Sequence, residues 1–110
     1  MKLEVIDKKI KFKGGSLGAL KTVLDAREID DKIVVIYDYM EFPENGPARN
    51  MFAYSKSGLE LWRAADIGMG STDAYTNIIS EFPLQVSNFA GFNVFFDLHT
   101  GKVISTEFTK

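Results

Sequence analysis

The sequence lacks cysteine altogether and contains a single histidine, His99. Without cysteine the chain cannot form a disulfide framework, a thiolate nucleophile, a zinc–thiolate site or an iron–sulfur cluster. A lone histidine has no second His or Cys with which to build a structural zinc site. Because His99 precedes Thr100-Gly101, the pattern favours a solvated turn residue. We therefore predict no catalytic, cofactor-binding or metal-binding residue.

Long apolar runs and a strong charge bias are also missing. No stretch approaches the roughly 18 apolar residues that a membrane span requires. The first residues, Met1 to Asp7, carry charges where a signal peptide needs an apolar core. The net charge is −2, without the basic excess of a nucleic-acid-binding protein. These features predict a cytoplasmic protein that binds neither a membrane nor a nucleic acid.

The composition is that of an ordinary folded domain. Hydrophobic residues make up 45% and charged residues 25% of the 110 positions. Such values argue against disorder, and a chain of this length suffices for one domain. We expect a single domain over residues 1–110.

An internal repeat is the most informative pattern that the sequence contains. The segment from Asn50 to Trp62 is similar to the segment from Asn93 to Ser105, with Gly58 matching Gly101. Each copy has an apolar run, a glycine-containing turn and a second apolar run, which is typical of a β-hairpin. A period of about 40–45 residues is typical of small four-stranded antiparallel sheets.

The repeat predicts a mainly β protein with two antiparallel four-stranded, blade-like sheets. The first unit covers residues 21–63 and the second covers residues 75–108, and an N-terminal hairpin over residues 3–13 precedes them. Residues 17–29 fit two alternatives, since their apolar spacing suits a short helix near 17–27 or a strand. The strand is favoured, because the first unit needs two strands before its repeated hairpin.

Two apolar runs lack the alternation of a sheet with one solvated face. These are Ile33 to Tyr37 and Val94 to Phe96. Continuous apolar runs are typical of strands that are covered on both faces. The cover could come from within the chain or from a second copy, and we favour self-association because exposed apolar patches commonly mark interfaces.

The second repeated hairpin resembles a known blade sequence. The segment from Val94 to Ile104 is similar to the repeat of pyrroloquinoline-quinone-type β-propellers, in which an apolar strand is followed by Asp, a Thr-Gly-Lys turn and an apolar return strand. Residues 57–62 are similar to the same motif and include its closing Trp62. The resemblance implies blade-like sheets. Two units cannot close a ring of four or more blades, and no quinone cofactor is inferred.

Three other patterns have ordinary explanations that we favour. The loop acids Asp38, Glu41 and Glu44 could offer oxygens to Ca²⁺, but they lack the spacing of an EF-hand. The Gly68-x-Gly70 sequence lacks the Gly-Lys-Ser/Thr of a phosphate loop.

The third pattern is a row of lysines in the N-terminal hairpin. Lys9, Lys11 and Lys13 would lie on one face of a strand, where a nucleic acid could bind them. Lysines at such positions also protect an exposed sheet edge, which suits a terminal hairpin.

Two loops, Glu41 to Pro47, which carries the aromatic residue Phe42, and Ala64 to Ala74, are the predicted binding edge. Loops on a rigid sheet commonly carry contact residues. The residues that we predict for an interaction surface are Phe42, Glu44, Trp62, Met69, Asp73 and Phe82.

The favoured function is a small non-enzymatic protein-interaction module. Its size and composition compare with those of immunity proteins, which is an association only. The alternative is an accessory protein that binds a small molecule of unknown identity, with Trp62 and Tyr54 lining a pocket. A hydrolase that uses carboxylates alone is third, and alanine substitution of His99, Asp97 and Asp38 in turn would test it.

Overall fold

The computed structural model describes residues 1–109, which form eleven strands in three antiparallel sheets and two short 3-10 helices. The strands are β1 Glu4–Ile6, β2 Lys9–Phe12, β3 Gly15–Gly18, β4 Val23–Ile29, β5 Lys32–Tyr37, β6 Met51–Ser55, β7 Glu60–Arg63, β8 Tyr75–Ser80, β9 Leu84–Asn88, β10 Phe92–Phe96 and β11 Val103–Phe108. The 3-10 helices are Tyr39–Glu41 and Gly70–Thr72. The prediction of a mainly β protein is confirmed.

The N-terminal sheet has three strands in the order β1-β2-β3, so the prediction of a simple hairpin is incomplete. Leu17 in β3 pairs with Ile10 in β2, and both side chains are buried. The third strand therefore completes a small apolar face, at a position where Gly14-Gly15-Ser16 suggests only a turn.

The segment with two alternatives is extended. Val23–Ile29 pairs with the next strand, and the described residues contain no α-helix, so the helix near 17–27 is not formed. The turn that follows has Asp30 at a φ of 57°, a left-handed conformation that Asp tolerates better than most residues. The helical spacing of the apolar residues does not determine the structure here, because the segment completes a sheet as a strand.

The two predicted four-stranded sheets are confirmed. The central sheet has the order β4-β5-β6-β7, and the C-terminal sheet places β8, β9, β10 and β11 side by side in the same manner. All their pairings are antiparallel. Each sheet is thus a meander in chain order, as the repeat indicates, and none of the three sheets closes into a barrel.

The matched positions of the repeat share local geometry. Gly58 and Gly101 both have positive φ angles, of 93° and 74°, which the hairpin turns require. Leu61 and its counterpart Ile104 each lie where the strand register shifts at a β-bulge. Their turn geometry explains the similarity of the two segments.

The central sheet is buried on both faces. Val34 and Ile36 pack against side chains of the C-terminal sheet, whereas Ile33, Val35 and Tyr37 pack toward the N-terminal sheet. Every residue of β5 is buried. The prediction of two covered faces is correct for this strand, and both covers come from within the chain. A second copy is therefore not needed to cover it.

A buried amide links the two four-stranded sheets. The Nδ2 of Asn50 donates to the carbonyl oxygens of Tyr37, at 2.6 Å, and Tyr75, at 2.8 Å. Its Oδ1 accepts from the N–H of Tyr75 at 2.9 Å. Asn50 has no exposed surface. One side chain thus satisfies three backbone groups that would otherwise be buried without partners.

A charged pair makes a second link between the same sheets. Asp25 accepts from the N–H of Ile78 at 2.9 Å, and Arg27 donates to the carbonyl oxygen of Ile78 at 3.1 Å. Both side chains extend from β4 toward β8. They occupy the positions that a neighbouring strand would take and so protect this edge of β8.

The far end of the interface contains the single tryptophan. Trp62 donates from Nε1 to the carbonyl oxygen of Leu98 at 2.7 Å, and its ring packs on Gly101. A Cβ at Gly101 would lie 2.4 Å from the ring. The glycine is therefore required by space as well as by its positive φ.

The Asn50 link should be essential for stability. We expect Asn50→Ala to lower the free energy of unfolding by about 3–5 kcal/mol, because buried backbone groups lose their partners. Its repeat counterpart Asn93 is half-buried, and Asn93→Ala should cost under about 0.5 kcal/mol. Urea unfolding of both variants measures the difference. Equal losses would contradict this role of Asn50.

The Trp62 contact gives a second comparison. Gly101→Ala should destabilise the protein by more than about 2 kcal/mol, since the new methyl group overlaps the indole ring. Gly68 has a similar φ of 80°, and apart from its chain neighbours no residue among 1–109 has an atom within 4 Å of the place that its Cβ would take, so Gly68→Ala should cost only about 1 kcal/mol. Urea unfolding followed by Trp62 emission measures both variants. A Gly68→Ala loss as large as that of Gly101→Ala would show that φ, not space, decides.

Candidate functional site

The two loops that the sequence predicts as a binding edge meet in the structure. Ala48 donates from its N–H to the carbonyl oxygen of Asp73 at 3.0 Å. Arg49 donates from Nε to the carbonyl oxygen of Ala64, also at 3.0 Å. These bonds join the loop after β5 to the loop after β7, and together they make one edge of the molecule.

A buried carboxylate holds the second loop in shape. Asp73 is only 1% exposed. Its Oδ2 accepts from the N–H groups of Ile67, at 2.8 Å, and Met69, at 3.1 Å, and its Oδ1 accepts from Nδ2 of Asn88 at 3.0 Å. Three donors compensate for the burial of this charge. The carboxylate therefore fixes the loop against β9.

The side chain of Tyr75 also holds this loop in place. Its hydroxyl donates to the carbonyl oxygen of Ala65. Burial, and then the charge of Asp73, raise the pKa of Tyr75 above its ordinary value. The phenol consequently stays protonated and keeps its donor at any physiological pH.

A cleft of about 240 Å³ opens between these loops and the turn that joins β9 to β10. Small residues, alanine, glycine and serine, line part of it, and larger apolar side chains and one acid complete the lining. The lining residues are Tyr39, Met40, Pro43, Glu44, Gly46, Ala48, Ser71, Ala74 and Phe89.

The apolar walls of the cleft are open to solvent. Met40 is 67% exposed and Phe89 is 60% exposed, although both are large apolar side chains. The rings of Tyr39 and Phe89 lie 5.7 Å apart, in a tilted contact that closes the cleft at one side. Such side chains gain free energy when a partner covers them.

The acids near the cleft have different roles. Asp38 accepts from the N–H of Met40 at 2.9 Å and caps the first 3-10 helix. Glu41 accepts from the N–H of Thr22, and this hydrogen bond holds the pKa of Glu41 below its ordinary value. Glu44 is exposed and, among residues 1–109, makes no salt bridge. Glu44 is thus the charge that the cleft offers to a partner.

Two cationic side chains, Arg63 and Lys21, pack against the first loop at Phe42. Phe42 is half-buried, with the Arg63 guanidinium 5.7 Å and the Lys21 ammonium 5.7 Å from its ring centroid. Arg63 also stacks on Phe52 at 5.0 Å and donates to the carbonyl oxygens of Ala48 and Arg49. Burial lowers the pKa of Arg63, and the charge of Arg49 lowers it further.

The predicted interaction residues are dispersed. Glu44 lines the cleft, and Phe42 packs beneath the same loop. Phe82, 66% exposed, lies in the separate turn between β8 and β9, and Met69 lies outside the lining of the cleft. Trp62 and Asp73 are buried, so they organise the fold and present no surface to a partner.

Sequence reasoning missed the residues that form the cleft walls. Tyr39 and Met40 lie just before the predicted loop Glu41 to Pro47, and nothing in their spacing marks them as contact residues. Phe89 lies in an Asn-Phe-Ala-Gly turn, where an aromatic side chain has little local cover. An aromatic residue within a short turn sequence, where exposure is expected, is the signal that could have identified Phe89.

The pocket predicted for a small molecule is not formed. Trp62 lies in the core between the two four-stranded sheets, whereas Tyr54 lies on the other face of the central sheet, with its hydroxyl 2.8 Å from that of Tyr37. Side chains on opposite faces of one sheet cannot line one pocket. This expectation is wrong.

The carboxylates considered for hydrolysis serve as turn caps. Asp97 accepts from the N–H of His99 at 2.8 Å, just as Asp38 caps Met40. His99 lines a shallow depression with Asp30, Asp31 and Lys32. The hydrogen bond from Lys32 holds the pKa of Asp31 below its ordinary value. Within residues 1–109 no group of three His, Cys, Asp or Glu side chains could hold a metal ion.

Comparisons with known proteins identify a family. The model of a domain of unknown function, DUF7957, matches residues 1–108. No curated protein and no solved structure matches the chain. The comparisons give no support to the propeller resemblance. In the part of the chain that the structure describes, no helix has the length and hydrophobicity to cross a membrane.

The Asp73 anchor should control the order of the cleft edge. We expect Asp73→Ala to speed amide exchange at Ile67 and Met69 at least about tenfold, because both N–H groups lose their acceptor. Asp66 is an exposed acid in the same loop and, within residues 1–109, accepts a hydrogen bond only from the N–H of Gly68, so Asp66→Ala is the matched control. Unchanged exchange at Ile67 in Asp73→Ala would contradict this role.

Proposed function

The chain belongs to the DUF7957 family, and we propose that it is a non-enzymatic interaction module whose cleft binds a segment of a partner protein. The segment presents an apolar side chain to the cleft and carries a lysine or arginine beside it. The observation that supports this proposal is that two exposed, large apolar side chains, Met40 and Phe89, line one cleft of about 240 Å³.

The size of the cleft favours a side chain over an enclosed small molecule. Small-molecule sites generally have volumes of about 300–1,000 Å³, and this cleft has about 240 Å³. One or two apolar side chains of a partner fill such a volume. Each large apolar side chain that becomes buried contributes about 1.5–3 kcal/mol.

The charge at the rim favours a basic neighbour. Glu44 lines the cleft and is exposed, while the nearby carboxylates of Asp38 and Glu41 accept backbone hydrogen bonds of their own. A cationic residue of the partner would therefore pair with Glu44. A rim pair of this kind contributes mainly to association rate and specificity, and salt screens it.

The surroundings of the cleft are already ordered. The bond between Ala48 and Asp73 closes the two loops together, and Asp73 fixes the second loop against Asn88. Arg63 holds the first loop by donating hydrogen bonds to two of its backbone carbonyl oxygens. A preorganised site loses little conformational entropy on binding, which favours recognition of a flexible segment.

Selection from a random peptide library displayed on phage tests this function. We expect selected peptides to pair an apolar residue with Lys or Arg, and the double variant Met40→Ser/Phe89→Ser to weaken their binding at least about thirtyfold, measured by fluorescence anisotropy. Glu44→Lys should weaken binding about three- to tenfold, and high salt should reduce that difference.

Two equally exposed apolar residues provide the matched control. Leu59 and Phe82 are each 66% exposed and lie outside the cleft. Leu59→Ser/Phe82→Ser should leave binding unchanged, which also tests Phe82 as a contact residue. Peptides that bind the Met40→Ser/Phe89→Ser protein as tightly as the unaltered protein would refute the cleft as the binding site.

A further inference from the structure

The edges of the two four-stranded sheets differ in how they are protected. The outer edge of β4 is paired with the first residues of the chain, since Leu3 donates to the carbonyl oxygen of Ala26 and Glu28 donates to that of Met1, both at 2.8 Å. The edge of β8 is covered by the side chains of Asp25 and Arg27. The edge of β7 is only four residues long. β11, with six residues, is the longest edge strand without such a cover.

The backbone of β11 leaves groups free for pairing. Thr109 donates from its N–H to the carbonyl oxygen of Gly91, toward β10, at 2.9 Å. Peptide groups alternate in direction along an antiparallel strand. The N–H and C=O groups of Thr106 and Phe108 therefore point away from β10, toward the side on which β11 has no neighbouring strand in its sheet.

Two large apolar side chains of this edge strand are exposed, and Glu107 is the one charged residue in the strand. Ile104 is 66% exposed and Phe108 is 62% exposed. Thr106 pairs with the buried Val94, and Phe108 pairs with Phe92. Thr106 and Phe108 therefore lie on the face of the sheet that packs against the core, but they are exposed because no side chain of the central sheet covers them. β11 contains neither proline nor lysine, the residues that usually protect an edge strand.

These features are self-complementary, and we propose that two copies of the chain pair antiparallel through β11. The two-fold axis passes at Thr106, so that Thr106 of one copy lies opposite Thr106 of the other. In this register Ile104 lies opposite Phe108 of the second copy, twice, and Ser105 lies opposite Glu107. The outward N–H and C=O groups of Thr106 and Phe108 then make the hydrogen bonds of the new ladder. The C-terminal sheets join into one eight-stranded sheet.

This register matches residues that a single copy leaves exposed. Apolar cross-strand pairs are among those that stabilise antiparallel sheets, and directly opposite like charges destabilise them. Within β11, Val103–Phe108, the register brings no two like charges opposite one another, because Glu107 faces Ser105. The pairing involves a surface separate from the cleft, so it neither requires nor contradicts the proposed peptide binding.

Cysteine cross-linking tests the register directly, because the natural chain contains no cysteine. With Thr106→Cys the two Cα atoms at the axis lie about 5.5 Å apart, within the range of a disulfide. With Ser105→Cys, also at an exposed position, the Cα atoms are diagonal neighbours about 7–8 Å apart. Under mild oxidation we expect at least about tenfold more cross-linked dimer for Thr106→Cys. Equal cross-linking of the two variants would overturn the register.

The oligomeric state tests the pairing itself. Light scattering after size exclusion should give the natural protein twice the chain mass of 12.3 kDa. Thr106→Pro removes an outward N–H without breaking the bonds to β10, and it should give the single mass with an unchanged circular dichroism spectrum. Ile104→Lys should also give the single mass, and Leu59→Lys, at an equally exposed position, should remain dimeric. A natural protein that stays monomeric at about 0.5 mM would overturn the proposal.

Discussion

The side-chain amide of Asn50 lies where β5 ends and β8 begins, and there it takes the place of a peptide group. It accepts one backbone hydrogen bond and donates two, so the ends of both four-stranded sheets keep their bonding although no strand joins them. Without this amide, burial of the sheet ends would leave polar groups without partners. At this end of the interface, the close packing of the two sheets thus depends on one buried asparagine.

The candidate cleft is built at the same junction. Ala48 lies two residues before Asn50, and Ala74 directly precedes Tyr75, to which Asn50 bonds. Both alanines line the cleft, and the bond from Ala48 to Asp73 closes the loops beside them. The geometry that joins the sheets therefore also sets the positions of the cleft lining. A site on such a scaffold is preorganised, which lowers the entropic cost of binding a partner.

Some of this architecture could be predicted from the sequence because its causes are local. The turn glycines Gly58 and Gly101 indicate the two hairpins, and the unbroken run in β5 indicates a strand covered on both faces. The third N-terminal strand could not be predicted in this way, because β3 depends on the pairing of Leu17 with Ile10 and has two glycines among its four residues. Its formation is a tertiary effect that composition does not predict.

The candidate site was harder to predict because its parts come from distant segments. Asp73 resembles a solvated loop acid until Asn88 and the N–H groups of Ile67 and Met69 are brought to it. Trp62 resembles a contact residue until the turn at Gly101 packs on its ring. The loop after β5 was predicted as part of the binding edge. Its neighbour Met40 could not be identified as a lining residue, because the cleft forms only when Phe89, from the C-terminal sheet, lies near it.

The most direct test of the central claim is a nuclear magnetic resonance titration of the labelled protein with a short peptide that carries a leucine or phenylalanine beside an arginine. We expect the amide signals of Met40, Gly46, Ala74 and Phe89 to shift in a saturable manner, while those of β11 stay in place. Shifts confined to β11 or to the turn at Phe82, or none at millimolar peptide, would contradict the assignment of the cleft as the binding site.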